Sequence, residues 1–303
     1  MANAEASNSQ PRPLTSQAFA ITLLIVALWG GNSVAVRFSV ASIPPVAVAC
    51  ARFAIGTLVL GVWYLSRRES LRINRGELVA SWIAGILLFL QISTFNVGVL
   101  WSNSTHGAMF INTFPFFVVL IEHWVTKSDR ITLRKTIGML LAAAGVSAVM
   151  LDAGGGEGQR NTLFAAGDVV LLLSSILLSI RVVYVGRLVR RMPPGKLIFW
   201  SNMVGVMLFA GWSLVTEDLS EMTLERPAVL GLLYQGGIIS GFCFVTHATL
   251  LRTYSASQIS VFSFATPIFG VLFSIWLLHE PFTTMVTLGA ILVAGGIWAV
   301  NYK

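Results

Sequence analysis

Apolar runs of about twenty residues, each closed by a short polar break, follow one another from Phe19 to the C-terminus. Ten such runs fall at approximately 18–39, 46–66, 78–100, 105–126, 136–152, 164–186, 197–215, 228–251, 256–278 and 284–302. Each has roughly the 17 to 25 residues that carry an α-helix across a bilayer. The weakest separations, at 101–104 and 252–255, rest on a few polar residues. Joining either pair would make one helix far too long for the membrane. The pattern predicts an all-α integral membrane protein of ten transmembrane helices.

Composition agrees. Of the 303 residues, 55% are hydrophobic and 11% are charged, whereas soluble domains carry about 25% charged residues. The mean hydropathy is +0.78. Little chain is left for a soluble domain, and no cleavable signal peptide is expected, because the first run is longer than an ordinary signal core. Cys50 and Cys243 are the only cysteines, both inside runs, so no disulfide framework is expected.

Sliding the chain on itself by about 150 residues exposes a repeat, the feature that a fold argument tests first. Pro44-Pro45 meets Pro193-Pro194, Gly56 meets Gly205, and Trp63 meets Trp212. Further on, Gly85 meets Gly236, Phe110 meets Phe262, Pro115 meets Pro267, Trp124 meets Trp276, Gly138 meets Gly289 and Gly145 meets Gly296. Each half holds five runs. An odd number forces the second half to enter the membrane from the opposite side, so the repeats are inverted, an arrangement that in transporters places a substrate site near the bilayer midplane. The resulting division is a cytoplasmic tail at 1–17, a first five-helix repeat at 18–152, an external connector at 153–163 and a second five-helix repeat at 164–303.

The net charge of +7 follows the same scheme. With both termini cytoplasmic, fifteen of the twenty basic residues face the cytoplasm, among them Arg67, Arg68, Arg72 and Arg75, Lys127 to Lys135, and Arg187 to Lys196. Glu217, Asp218, Glu221, Glu225 and Glu280 lie outside. The surplus charge is thus a topology signal and gives no reason to invoke nucleic acid.

Leu28-Trp29-Gly30-Gly31-Asn32 with Arg37, Ile43-Pro44-Pro45 leading to Ala51-Arg52-Phe53, the mid-run Pro115 and Pro267, and His279-Glu280-Pro281-Phe282-Thr283 before Gly289 occur in this order along nearly the whole chain. In that combination the sequence resembles the EamA type of the drug/metabolite transporter superfamily. The resemblance implies ten helices as five plus five, and export of amino acids and other metabolites across the bacterial inner membrane, with the aromatic amino-acid exporters nearest. Two features depart from an exact repeat: the counterpart of the Glu280 turn reads Lys127-Ser128-Asp129-Arg130, and Arg52 meets Ser201.

Polar groups inside membrane helices are costly and usually face a bundle interior or a watery hollow. The cavity candidates are Asn32, Gln91, Asn96, His106, Asn112, Gln235, His247, Gln258 and Ser263. Trp101, Phe110, Tyr184 and Tyr234 lie beside them and supply a stacking wall for an aromatic or aliphatic side chain. These positions make runs one, three, four, six, eight and nine the lining, while the Gly- and Ala-rich runs five and ten pack the halves together. Gly30 and Gly31 admit another helix or a ligand to the backbone. Pro115 and Pro267, at matched positions, are candidate hinges whose neighbours Asn112, Thr113, Ser263 and Thr266 can bond the freed carbonyls. Arg37 snorkels from the outer end of run one. Arg52, about 10 Å into run two, is expected to brace carbonyls or Asn32 in preference to contacting a substrate carboxylate, and Arg181 to act as a gate. His106 and His247 either change charge near neutral pH or serve as neutral hydrogen-bonding partners. Five tryptophans, Trp63, Trp124, Trp212, Trp276 and Trp298, form the interfacial belt.

No Asp or Glu lies near the middle of a run: Glu122 and Asp168 sit about one turn from opposite surfaces. Metalloprotease, nucleophile-elbow and phosphate-loop motifs are missing from the sequence, as is any Cys/His ligand cluster. The expectation is therefore a non-enzyme with no cofactor and no metal, partnered by a small-molecule substrate and membrane lipid, as monomer or homodimer. A nucleotide-sugar or other metabolite carrier or importer stands as the alternative within transport, against it only that the in-run arginines look scattered. A membrane-embedded lipid-modifying enzyme is the rival from another class.

Overall fold

In lipid every backbone N–H and C=O must find its partner inside the protein, which leaves helices as the way to cross with an apolar run. The computed structural model describes residues 13–102, 104–153, 162–220, 222–278 and 284–301, and every element in them is helical. In chain order these are α1 (Ser16–Val40), α2 (Pro45–Ser66) and α3 (Arg75–Trp101), then α4 (Ser104–Ile111) and α5 (Phe114–Leu120) continued by a π-helical turn, Ile121–Val125. They are followed by α6 (Leu133–Ala153), α7 (Thr162–Leu188), α8 (Pro194–Thr216), and α9 (Arg226–Leu233) joined through a π-helical stretch, Tyr234–Cys243, to α10 (Phe244–Thr253). Last come α11 (Ala256–Ser260), a 3-10 turn (Val261–Ala265), α12 (Thr266–Leu278) and α13 (Thr284–Asn301). Among the described residues nine helices are long and apolar enough to cross a membrane. They account for every predicted run except the fifth, which is the 21-residue α6. The His279–Thr283 turn and the Gly154–Gly156 connector lie outside the described residues.

The starts of these helices are written into the sequence. Thr15 caps α1 by accepting the Ala18 N–H at 3.2 Å. Asn74 and Glu77 form a reciprocal capping box at α3, and Ser255 and Gln258 repeat it at α11. Pro45 and Pro194 open α2 and α8, where the missing N–H costs nothing. The α2 start is also capped from a distance: Glu217, just past α8, accepts the N–H groups of Val46 at 2.7 Å and Ala47 at 2.8 Å, and Ser213 Oγ donates to it at 2.8 Å.

Helix pairing follows the repeat. The most extensive contact joins α6 to α13, and α2 packs on α8. The α3–α7 contact is matched by α1 against α9 and the π-helical stretch, and α3–α8 by α2 against that stretch. Likewise α1–α12 is matched by α7 against α4 and α5. These principal pairs are exchanged for one another when each element is replaced by its counterpart about 150 residues away, whereas the smaller contacts of α10 with α7 and α8 have no equivalent of similar extent. Lipid gives helices no hydrophobic drive to associate, so small residues set the close contacts. A Cβ on Gly138 would lie 2.7 Å from the Gly296 carbonyl oxygen, and one on Gly145 2.8 Å from that of Gly289. Gly85 likewise faces the Ser201 carbonyl at 2.8 Å.

Both matched prolines follow an interruption. α4 stops at Ile111 and α5 restarts at Phe114 with Pro115 in its first turn; the 3-10 turn ends at Ala265 and Pro267 lies in the first turn of α12. The side chains expected to bond the freed carbonyls reach further back. Asn112 donates to the Ala108 carbonyl at 2.7 Å, Thr113 to Phe110 at 2.6 Å, and Ser263 to Ser260, while the Thr266 hydroxyl is buried with no partner.

Candidate functional site at mid-depth

Arg52 and Arg181, scattered along the sequence, converge in the fold. Arg52 lies seven residues from the start of α2, and Arg181 seven residues from the end of α7, near the face that carries the basic loops. Each is therefore about 10 Å from an opposite surface. The Arg52 guanidinium carbon lies 4.6 Å from the centroid of the Phe53 ring, and that of Arg181 lies 5.2 Å from Phe244. The two rings are themselves 6.4 Å apart. His247, one turn beyond Phe244 on α10, has its ring 5.2 Å from Trp29. α1, α2, α7 and α10, drawn from both halves, thus meet in one cationic and aromatic cluster.

The cluster is unsatisfied. Among the described residues neither arginine makes a hydrogen bond or ion pair, and the Nε atoms of both are buried without a partner. Trp29 Nε1 and, one turn further along α1, Asn32 Oδ1 are in the same state. Arg181 is only 9% exposed. Arg52 and His247 are half-buried. Burying an ion costs several kcal/mol, and a cation–π contact returns up to about 2 kcal/mol. Two permanent charges held this way are a net expense to the fold. The arrangement can do one thing well: receive negative charge, with aromatic faces beside it. The expected bracing role of Arg52 is not what the structure gives.

Most other polar candidates have protein partners. Tyr234 donates to the Leu28 carbonyl at 2.8 Å, and its hydroxyl occupies the space that a Cβ on Gly31 would need, at 2.8 Å. Gly30 admits α12: a Cβ there would lie 2.6 Å from Phe269 Cβ and 2.8 Å from the Gly270 nitrogen. Gln235, fully buried, donates to Ser39 Oγ at 2.8 Å, and Gln91 donates to Ser174 Oγ at 3.3 Å, so both tie elements together. Tyr184, one turn from Arg181, reaches the Ala80 carbonyl at 3.3 Å. Gln258 serves the α11 cap. Asn96 is half-buried on α3, and Trp101 is 38% exposed at its end. Of the tryptophan belt, Trp63, Trp124, Trp276 and Trp298 are exposed, whereas Trp212 packs against Phe89 and Phe209.

Two polar clusters flank the site. Towards the end of α3, His106 Nδ1 lies 2.9 Å from Asp168 Oδ1, to which Ser102 also donates at 2.7 Å, and Phe110 sits 6.2 Å from the His106 ring. At the basic face Glu122 accepts the N–H groups of Ala256 at 3.0 Å and Ser257 at 2.7 Å, while Asp129 takes Lys135 and Ser257. The second cluster fastens the π-helical turn after α5 to the start of α11. Sequence reasoning missed Trp29 and Phe244 as members of the central site. A tryptophan in the middle of a run, away from either interface, was the available signal for Trp29; nothing distinguished Phe244 from eighteen other phenylalanines. No group of three or more His, Cys, Asp or Glu suited to a metal ion occurs among the described residues.

The model of the EamA-like transporter family matches the chain twice, over residues 17–151 and 165–302. An uncharacterized transporter of Bacillus subtilis, YoaV, is 24% identical over 279 residues, which is 90% of this chain and 93% of that protein. A probable amino-acid metabolite efflux pump of Escherichia coli is 22% identical over 289 residues, 92% of each. A solved crystal structure 19% identical in sequence aligns with a TM-score of 0.83, covering 95% of this chain and 99% of that one, and so shares its fold. With both halves matched by one family model across almost its whole length, this multi-pass membrane protein belongs to the EamA-like transporter family.

Proposed function

We infer that the chain is a secondary transporter of the inner membrane, and no enzyme, that exports small metabolites by alternating access, amino acids of the aromatic or neutral kind and their derivatives foremost. In this reading α6 is the tenth span, both termini and the basic loops are cytoplasmic, and the halves are inverted repeats that rock about the α6–α13 contact. The observation that carries it is the mid-depth cluster of Trp29, Arg52, Arg181, Phe244 and His247, assembled from both halves. It offers cations for a carboxylate and rings for an apolar side chain. The exchange of the principal helix pairs between halves supports the inverted arrangement. The E. coli relative's name, and the family resemblance to the aromatic amino-acid exporter YddG, favour this substrate class.

The test is flux from proteoliposomes loaded with radiolabelled amino acids, their derivatives and a nucleotide sugar. Release of an amino acid or derivative above that from empty-protein controls is the expected result. Release of the nucleotide sugar alone would favour the second reading, a phosphate-bearing metabolite carrier, which the convergence of two arginines also suits.

A further inference from the structure

We propose that Arg52 and Arg181 together form a binding site for one carboxylate of a net-negative organic acid carrying an apolar or aromatic body, and that the site selects against free zwitterionic amino acids. The proposal rests on the transporter reading and, within its substrate class, places acylated or deaminated derivatives ahead of the free amino acids. Three observations carry it. First, the two guanidiniums come from α2 and α7, one in each half, pack on two rings whose centroids are 6.4 Å apart, and have no hydrogen bond or ion pair among the described residues. The whole sequence holds thirteen acidic residues, and those inside helices, Glu77, Glu122, Asp152 and Asp168, sit close to helix ends. Second, Glu122 and Asp168 are already engaged, the one by Ala256 and Ser257, the other by Ser102 and His106. Third, the other side chains of the cluster that keep accessible surface are the rings of Trp29, Phe244 and His247, with the uncharged Asn32 amide one turn along α1.

A zwitterion brings its ammonium group within a few ångströms of its carboxylate. Here that ammonium would meet two like charges and no acid to receive it. An acid whose amine is missing or acylated brings only the charge that the site lacks, and one carboxylate accepts from two guanidiniums with its two oxygens. Phosphate-bearing molecules fit less well, because aromatic faces give no hydrogen bonds to a doubly charged head or its sugar. Both arginine Nε–H groups, orphaned as the protein stands, acquire an acceptor in this scheme.

The experiment compares four molecules with one ring and different charges: 3-phenylpropionate, N-acetylphenylalanine, phenylalanine and phenethylamine. Their binding to the purified full-length protein is measured by thermal shift, and their release from proteoliposomes at pH 7 by flux. Expected is that the two anions bind at least about tenfold more tightly than phenylalanine and leave faster, with phenethylamine inert. Arg52→Gln and Arg181→Gln should each abolish that preference, while Arg52→Lys keeps part of it. If phenylalanine binds and moves as well as the anions, the selectivity proposed here is overturned and the transporter reading stands. Should none of the four bind or move, both fall. The ranking in the unmodified protein decides the matter even if a variant fails to fold.

Discussion

A single methyl group is the scale at which this bundle is specified. At Gly30 it would press into the α12 backbone, at 2.8 Å from the Gly270 nitrogen, whereas at Gly211 nothing lies within 4 Å. Gly30→Ala should therefore destabilise the protein by about 1–3 kcal/mol through overpacking. Gly211→Ala should be neutral or up to about 1 kcal/mol stabilising, since alanine is the better helix former. Melting of the two variants in detergent checks the contrast, and equal melting temperatures would show that α12 yields at Gly30. Gly30 and Gly31 were readable in advance as positions of close approach, because glycine inside an oily run has few other uses. What could not be read was which neighbour approached: Gly30 meets a helix and Gly31 a tyrosine hydroxyl. The arginine pair was hidden for the same reason, since proximity between halves leaves no trace in local sequence.

Elements are held at their ends by a few carboxylates. Glu217 satisfies two N–H groups of α2 that no helical carbonyl can serve. Glu217→Ala should lower stability by about 2 kcal/mol, and Glu217→Gln, which still accepts one bond, by less; a larger loss for Gln than for Ala would contradict this account. Glu122 does the same for α11, but it joins segments that lie next to broken helices. Pro115→Ala and Pro267→Ala should each slow transport while leaving expression intact, measured as initial flux per unit of folded protein. Unchanged flux in both would mean that the interruptions are static. The runs themselves were legible to within a few residues, because hydropathy alone decides where a chain can rest in lipid. Their interruptions were legible only at the prolines. The π-helical stretch Tyr234–Cys243 has no sequence marker beyond its glycines, and Gly56 and Gly236 let α2 lie close alongside it.

At the scale of the whole molecule the parity of the helices governs what can be measured. In the proposed ten-span arrangement both ends lie on the cytoplasmic side, so tags at residues 1 and 303 should be reached together by a protease added to inverted vesicles and be protected together in right-side-out ones. Protection of one end alone would remove the mirrored arrangement. The fold class and the two halves were available from the 150-residue repeat, whereas the arginine site needed the folded pairing to be seen.

The glycine seam between α6 and α13 brings backbone against backbone, with no side chain between Gly138 and the Gly296 carbonyl. In the alternating-access reading this seam is the axle about which the two halves turn. On that reading a covalent staple laid across the axle leaves turnover running, while the same staple between the π-helical turn after α5 and the start of α11, whose polar clasp parts in the cycle, stops it. Such a pair of staples would tell a pivot from a gate without any knowledge of the cargo.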